Sequence, residues 1–103
     1  SPIDLVYVTL YPLEQTIADP LATPAAVIEK TDIGGPTLLR SAAKGRRLVL
    51  SDPSQIEFLE TWFKNGASDS ERESLVTHLV AAAERRVAEY VGASATYWES
   101  KIA

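Results

Sequence analysis

Thr31-Asp32-Ile33-Gly34-Gly35-Pro36-Thr37-Leu38-Leu39-Arg40-Ser41-Ala42-Ala43-Lys44 carries both ends of one helix. Pro36 to Lys44 reads as the helical body, with Gly45 as its C-cap. An acid and two glycines stand before it. Glycine lets the backbone approach a ligand closely, because no Cβ intervenes. The free N–H groups of a helix start attract carbonyl or anionic groups. This layout suits a site better than a core.

The flanks set the fold class. Downstream, Arg47-Leu48-Val49-Leu50-Ser51 reads as a buried strand. Upstream, Ile3 to Leu10 is nearly all apolar and rich in β-branched residues. Such a run fits a strand covered on both faces, as in a parallel sheet. Tyr11-Pro12 ends it, and Asp19 to Thr23 forms a loop around Pro20. Thr23 then caps a short helix that starts at Pro24 and runs to Lys30. Ser51 or Asp52 caps a further helix from Pro53 to about Lys64, which Asn65-Gly66 terminates.

Ser70 with Glu73 fits a capping box at the head of a long helix. Leu75, Leu79, Ala83, Val87 and Tyr90 or Val91 recur at helical spacing, and this stripe should pack on the sheet. Residues 1–92 form the domain portion. Residues 93–103 are a tail or an extension of the helix through Tyr97-Trp98. The alternation of strands with helices predicts α/β layers. Two strands do not make a stable parallel sheet by themselves. Further strands are therefore expected from an upstream segment or another chain.

Composition narrows the function classes. At 103 residues and 46% hydrophobic, the chain is one small globular domain or a piece of one. A net charge of −4 argues against a nonspecific nucleic-acid surface, which needs a basic face. Arg46-Arg47 and Arg85-Arg86 read as isolated solvated doublets. The absence of cysteine removes disulfides, thiolate metal sites and cysteine nucleophiles. No apolar run reaches the ~20 residues of a membrane span, and no signal peptide is visible.

Several residues bear on chemistry. Tyr11 stands at the carboxyl end of the first strand, where ligands bind in open α/β sheets. It could equally be a boundary aromatic packed on a loop. Asp32 could be a plain N-cap, Gly34-Gly35 a tight turn, and Lys44 a cation favoured at a helix C-terminus. His78 is the only histidine, so a multi-histidine metal site is excluded. Its expected role is a surface position or helix contact. There is no nucleophile elbow, P-loop or GxGxxG pattern.

The combined spacing is more specific than its parts. Leu10-Tyr11-Pro12, Asp32-Ile33-Gly34-Gly35 and Leu38-Leu39-Arg40-Ser41-Ala42-Ala43-Lys44 together resemble the PurH family of bifunctional purine-biosynthesis enzymes. The match is to the second half of its N-terminal IMP cyclohydrolase domain. Asp52-Pro53, Glu71 to Glu73 and Thr77-His78 support it, over roughly residues 3 to 91. The resemblance implies a three-layer αβα methylglyoxal-synthase-like fold with a parallel sheet, represented here by its C-terminal half.

The resemblance also implies a reaction. Formamidoimidazole carboxamide ribonucleotide (FAICAR) closes to inosine monophosphate (IMP) with loss of water. The family's catalytic tyrosine, aspartate and lysine map onto Tyr11, Asp32 and Lys44. Asp32 and Lys44 would act on the carboxamide side as a coupled hydrogen-bonding and proton-moving pair. Tyr11 would assist proton transfer around the formyl group. The amides of Ile33, Gly34 and Gly35 would hold the base. No metal or redox cofactor is expected, because a dehydration needs only acid–base groups. The implied partners are the purine nucleotide, a missing N-terminal half supplied in cis or trans, and a second copy in a homodimer. Nucleic acid and membrane are not expected, and the implied compartment is the cytoplasm.

The chain also departs from the family pattern. Thr9 replaces the asparagine before Leu-Tyr-Pro, and Leu13 the following phenylalanine. Gly45 and Arg46 stand where asparagine and histidine usually follow the lysine. The family's upstream S-x-S-D-K and K-T-L-H segments, and its formyl-transfer domain, are not in this sequence. The alternative reading is a non-catalytic nucleotide- or metabolite-binding module of the same fold. A third is an interaction or scaffold piece.

Overall fold

A computed structural model describes residues 4–102. The element order is β1 (Leu5–Tyr7), α1 (Leu13–Ala18), α2 (Pro24–Lys30), α3 (Gly34–Lys44), β2 (Leu48–Leu50), a 3-10 turn (Pro53–Gln55), α4 (Ile56–Lys64) and α5 (Asp69–Glu99). The fold is α/β, dominated by helix, with one two-stranded parallel sheet. Leu5 pairs with Leu48, Val6 with Val49 and Tyr7 with Leu50. Ile3, the expected start of the first strand, lies outside the described residues.

The two strands differ in burial. All three residues of β2 are buried. β1 leaves Leu5 48% and Tyr7 46% exposed, while Val6 is half-buried between them. The expectation of a first strand covered on both faces is therefore corrected. Both faces of β2 are covered, whereas at β1 the face carrying Leu5 and Tyr7 is left open, so those alternate side chains stay exposed. The strand is also shorter than the apolar run, although Val8 N–H still donates to Leu50 O at 3.0 Å.

Local chemistry accounts for most helix boundaries. Thr23 Oγ1 accepts from Ala26 N–H at 3.2 Å, with Pro24 opening α2. Asp52 accepts from Ser54 N–H at 2.9 Å. Gln55 Oε1 accepts from Ser51 N–H at 2.8 Å, which locks the turn from β2 toward α4. α4 ends at Asn65, and Gly66 takes φ 98°, a left-handed value that glycine adopts freely. Trp62 Nε1 donates to Ser68 O at 3.0 Å and ties the α4–α5 connection back to α4.

Three boundaries differ from expectation. Leu13–Ala18, read only as chain between a strand end and a loop, is helix α1, and Leu13 is its buried anchor. α3 begins at Gly34 rather than Pro36. α5 is capped by Ser68, whose Oγ accepts from Glu71 N–H at 3.2 Å, so the Ser70–Glu73 frame is displaced by two residues. The helix then runs through Gly92 to Glu99.

α5 holds the domain together by packing on β2, α1, α3 and α4. Its stripe buries Val76, Leu79, Ala83, Val87 and Tyr90 against Leu13, Val27, Leu39 and Val49. Tyr90, not Val91, occupies the last of the expected stripe positions. Each fully buried Leu or Val in this cluster contributes about 1.5–3 kcal/mol relative to exposure. His78 stacks edge-on against Phe58, with ring centroids 5.2 Å apart, and so joins α5 to α4. Among the described residues no helix is long and apolar enough to cross a membrane.

Candidate functional site

Asp32 lies just before α3, and its carboxylate folds back on the helix start. Oδ1 accepts from Gly35 N–H at 2.8 Å. Gly35 is buried, and this packing requires its missing side chain. A Cβ at Gly35 would lie 2.5 Å from Asp32 Oδ2 and 2.7 Å from Leu10 Cδ2. At Gly34 the nearest such atom, Asp32 Oδ1, would be 4.0 Å away. Only the second glycine of the pair is thus demanded by close approach.

Gly35 therefore connects Asp32 to the segment carrying Tyr11. Leu10 is buried against the glycine, and the next residue, Tyr11, is 44% exposed. Leu13 N–H donates to Tyr11 O at 2.7 Å, fixing the turn into α1. Lys30 Nζ sits 5.0 Å from the Tyr11 ring centroid, a cation–π contact. The end of the first apolar run and the start of α3 thus meet around Leu10 and Gly35, with an exposed phenol on one segment and a half-buried carboxylate on the other.

Lys44 is placed differently. It is the exposed last residue of α3. Ten helical steps from Gly34 carry it about 15 Å along the axis at ~1.5 Å per residue. Among the described residues no ion pair joins it to Asp32. The two residues instead bracket a groove between α3 and α5. One depression, of about 280 Å³, is lined by Asp32, Ile33, Thr37 and Tyr90. A second, of about 640 Å³, is lined by Arg40, Ser41, Lys44 and Glu84. Pro36, Thr37 and Val91 line both.

The three backbone amides expected to hold a ligand are not equivalent. Gly35 N–H is committed to Asp32. Among the described residues no hydrogen bond engages Ile33 N–H or Gly34 N–H. Two of the three amides are therefore uncommitted among the described residues, and Ile33 lines the smaller depression.

Sequence reasoning missed the residues that support this arrangement. Tyr90 hydroxyl accepts from Asp32 N–H at 2.7 Å and lies 3.4 Å from Lys30 O. Arg86 binds Glu14 with both guanidinium nitrogens, at 2.5 and 3.3 Å. That hydrogen bond, with the adjacent charge, holds the Glu14 carboxyl below its ordinary value and raises Arg86 above its own. Arg86 is thus not the solvated half of a doublet. The available signal was a tyrosine at a core stripe position, because a buried phenol needs a polar partner. Among the described residues no cluster of three His, Asp or Glu side chains could hold a metal ion.

This is an α/β chain. It is homologous to a segment of the bifunctional purine biosynthesis protein PurH. It is 46% identical to PurH of Rippkaea orientalis across 94% of the chain and 19% of that relative. It is 40% identical to PurH of Streptococcus mutans across 99% of the chain and 20% of the relative. A 58-residue stretch is 60% identical to PurH of Thermosynechococcus vestitus. The chain spans about a fifth of the length of the curated relatives that it matches along most of its own length. No protein-family model matches it.

Proposed function

We propose that the chain is the C-terminal half of an IMP cyclohydrolase-like domain with a methylglyoxal-synthase-like fold. It closes FAICAR to IMP in de novo purine biosynthesis once the preceding half of the domain is supplied. The observation that carries this reading is the Gly35 cradle. It sets the Asp32 carboxylate against the segment bearing Tyr11, and these are two of the residues to which the family resemblance assigns catalysis. The small two-stranded sheet, with β1 exposed at Leu5 and Tyr7, supports a complementing segment. Homodimers in the cytoplasm belong to the same reading.

The carboxamide nitrogen attacks the formyl carbon, forming the C–N bond of a tetrahedral carbinolamine. Asp32 accepts the nitrogen's proton, and Ile33 and Gly34 N–H bind the base. Asp32 passes that proton to the formyl oxygen, which becomes the carbinolamine hydroxyl. The hydroxyl then leaves as water with a proton from the Tyr11 phenol, and the C–O bond breaks. The formamido nitrogen closes the C=N bond while giving up its N–H proton to restore the phenol. Each proton transfer of this kind contributes about 10²–10⁴-fold. Lys44 contacts the substrate on its carboxamide side without touching Asp32, because α3 separates the two backbones by about 15 Å.

A sensor that binds a nucleotide or metabolite without turnover is the second reading. The Asp32–Gly35 bond argues against an anion sensor, because the carboxylate already occupies part of the helix N-terminus. The deciding assay follows the absorbance change on ring closure, with the chain alone and with the relatives' preceding segment added. Turnover that appears on complementation and is lost in Asp32→Asn supports the enzyme. Binding of IMP without turnover in the complemented protein supports the sensor.

A further inference from the structure

Arg86 and Tyr90 lie one helical turn apart on α5, and each grips a different segment of the candidate site. Arg86 holds Glu14 by two hydrogen bonds. Glu14 follows Tyr11 by three residues, within a turn fixed by Leu13 N–H to Tyr11 O and Gln15 N–H to Pro12 O. Tyr90, only 2% exposed, accepts from Asp32 N–H and reaches Lys30 O with its hydroxyl proton. The two side chains also touch each other, with Arg86 Cζ 5.6 Å from the Tyr90 ring centroid. Lys30 completes the circuit by lying over Tyr11.

We propose that Arg86 and Tyr90 are positioning residues that set the separation between the Tyr11 phenol and the Asp32 carboxylate. The proposal rests on the reading that those two groups serve one substrate. Neither positioning residue need touch that substrate. They act through the closed circuit Tyr11–Glu14–Arg86–Tyr90–Asp32–Lys30–Tyr11, in which the rigid α5 helix is the ruler. Charge-assisted, two-pronged Arg–carboxylate geometry resists sliding. The buried phenol fixes the backbone at Asp32, so the carboxylate inherits its origin from a residue 58 positions downstream.

The test is amide hydrogen exchange on the full chain, read residue by residue by nuclear magnetic resonance. In the unmodified protein the Asp32 amide exchanges as slowly as helix amides such as that of Leu79. A fast Asp32 amide there overturns the proposal without any variant. Tyr90→Phe keeps the ring over which Arg86 lies and removes only the hydroxyl. It should speed Asp32 exchange at least tenfold and leave Leu79 unchanged. Equal rates in the two proteins overturn the proposal. Arg86→Lys keeps the charge and loses the fork, and it should broaden the Tyr11 and Glu14 resonances. Unbroadened resonances there count against the clamp.

Kinetics on the complemented protein separate this from a merely structural role. Tyr90→Phe should lower kcat about tenfold with KM unchanged, and equal losses at every helix amide would mark simple destabilisation and overturn the proposal. If the complemented protein closes no ring, the functional reading fails, yet the exchange data still decide the clamp. If turnover depends on Asp32 but Tyr90→Phe alters neither exchange nor kcat, the clamp fails alone.

Discussion

Gly35→Ala should separate catalysis from folding. The added Cβ would sit 2.5 Å from Asp32 Oδ2 and 2.7 Å from Leu10 Cδ2. Comfortable contact begins near ~3.5 Å, so the carboxylate must retreat by about 1 Å. The capping bond to Gly35 N–H is then stretched or lost, costing about 1 kcal/mol. Alanine returns a similar amount, about 1 kcal/mol, through its better helix propensity. The Leu10 clash adds about 1–3 kcal/mol of overpacking strain. Net destabilisation is therefore about 1–3 kcal/mol, which a small domain survives.

Catalysis should suffer more. A misplacement of about 1 Å in a reacting group can cost about 100-fold, or roughly 2.7 kcal/mol of barrier. Gly34→Ala is the internal control, because its Cβ would meet Asp32 Oδ1 only at 4.0 Å. It should keep activity within a few-fold and leave stability unchanged or slightly raised. The assay is ring closure in the complemented protein, paired with urea unfolding of each variant. The reasoning is refuted if Gly35→Ala and Gly34→Ala have the same kcat while both remain folded.

Other outcomes follow from the same contacts. Asp32→Asn should reduce ring closure by about 10²–10⁴-fold while preserving most of the cap, as circular dichroism and turnover together would show. Lys44→Ala should also reduce turnover, with no measurable change in unfolding midpoint, because Lys44 is exposed at the helix end. Leu79→Ala, at a fully buried position on the inner face of α5, should cost about 2–5 kcal/mol in denaturant unfolding. The Glu14 carboxyl is held low in the folded state, so its contribution to stability is present above the ordinary glutamate value of about 4.3. It is lost as pH falls through the lower folded value. Glu14→Gln should flatten that part of the stability profile, measured by urea unfolding from pH 6 down to pH 3.

The legible parts of the fold were those with local chemical punctuation. Thr23-Pro24, Asp52-Pro53 and Asn65-Gly66 each satisfy or end a backbone hydrogen-bond series within a few residues, so pattern and structure coincide there. α1 lacked such a signal: Pro12 stands at its cap position, and no side chain caps it. The head of α5 was read from Ser70 with Glu73, whereas Ser68 caps it through Glu71 N–H. Trp62 binding Ser68 O is a tertiary contact that supports the Ser68 cap. The exposure of β1 depends on what lies beyond the chain's own sheet, which periodicity does not report.

The site divides in the same way. Asp32 and its glycine pair were recognisable, because an acid before glycines at a helix start has a local meaning. The unequal roles of Gly34 and Gly35 were not, since they depend on Leu10 arriving from 25 positions upstream. The family resemblance implied Asp32 and Lys44 as a coupled pair, whereas a continuous α3 sets them at opposite ends. Arg86 and Tyr90 were invisible as supports because their partners, Glu14 and Asp32, lie 72 and 58 residues away.

The 31-residue α5 follows β1 to α4 in chain order and is therefore synthesised after the elements that it covers. At ~5–20 residues per second its synthesis takes about 2–6 s. During that interval Val27, Leu39 and Val49 have been made but have no lid, since the helix that covers them is still being polymerised. The nascent polypeptide therefore spends seconds with its apolar interior uncovered.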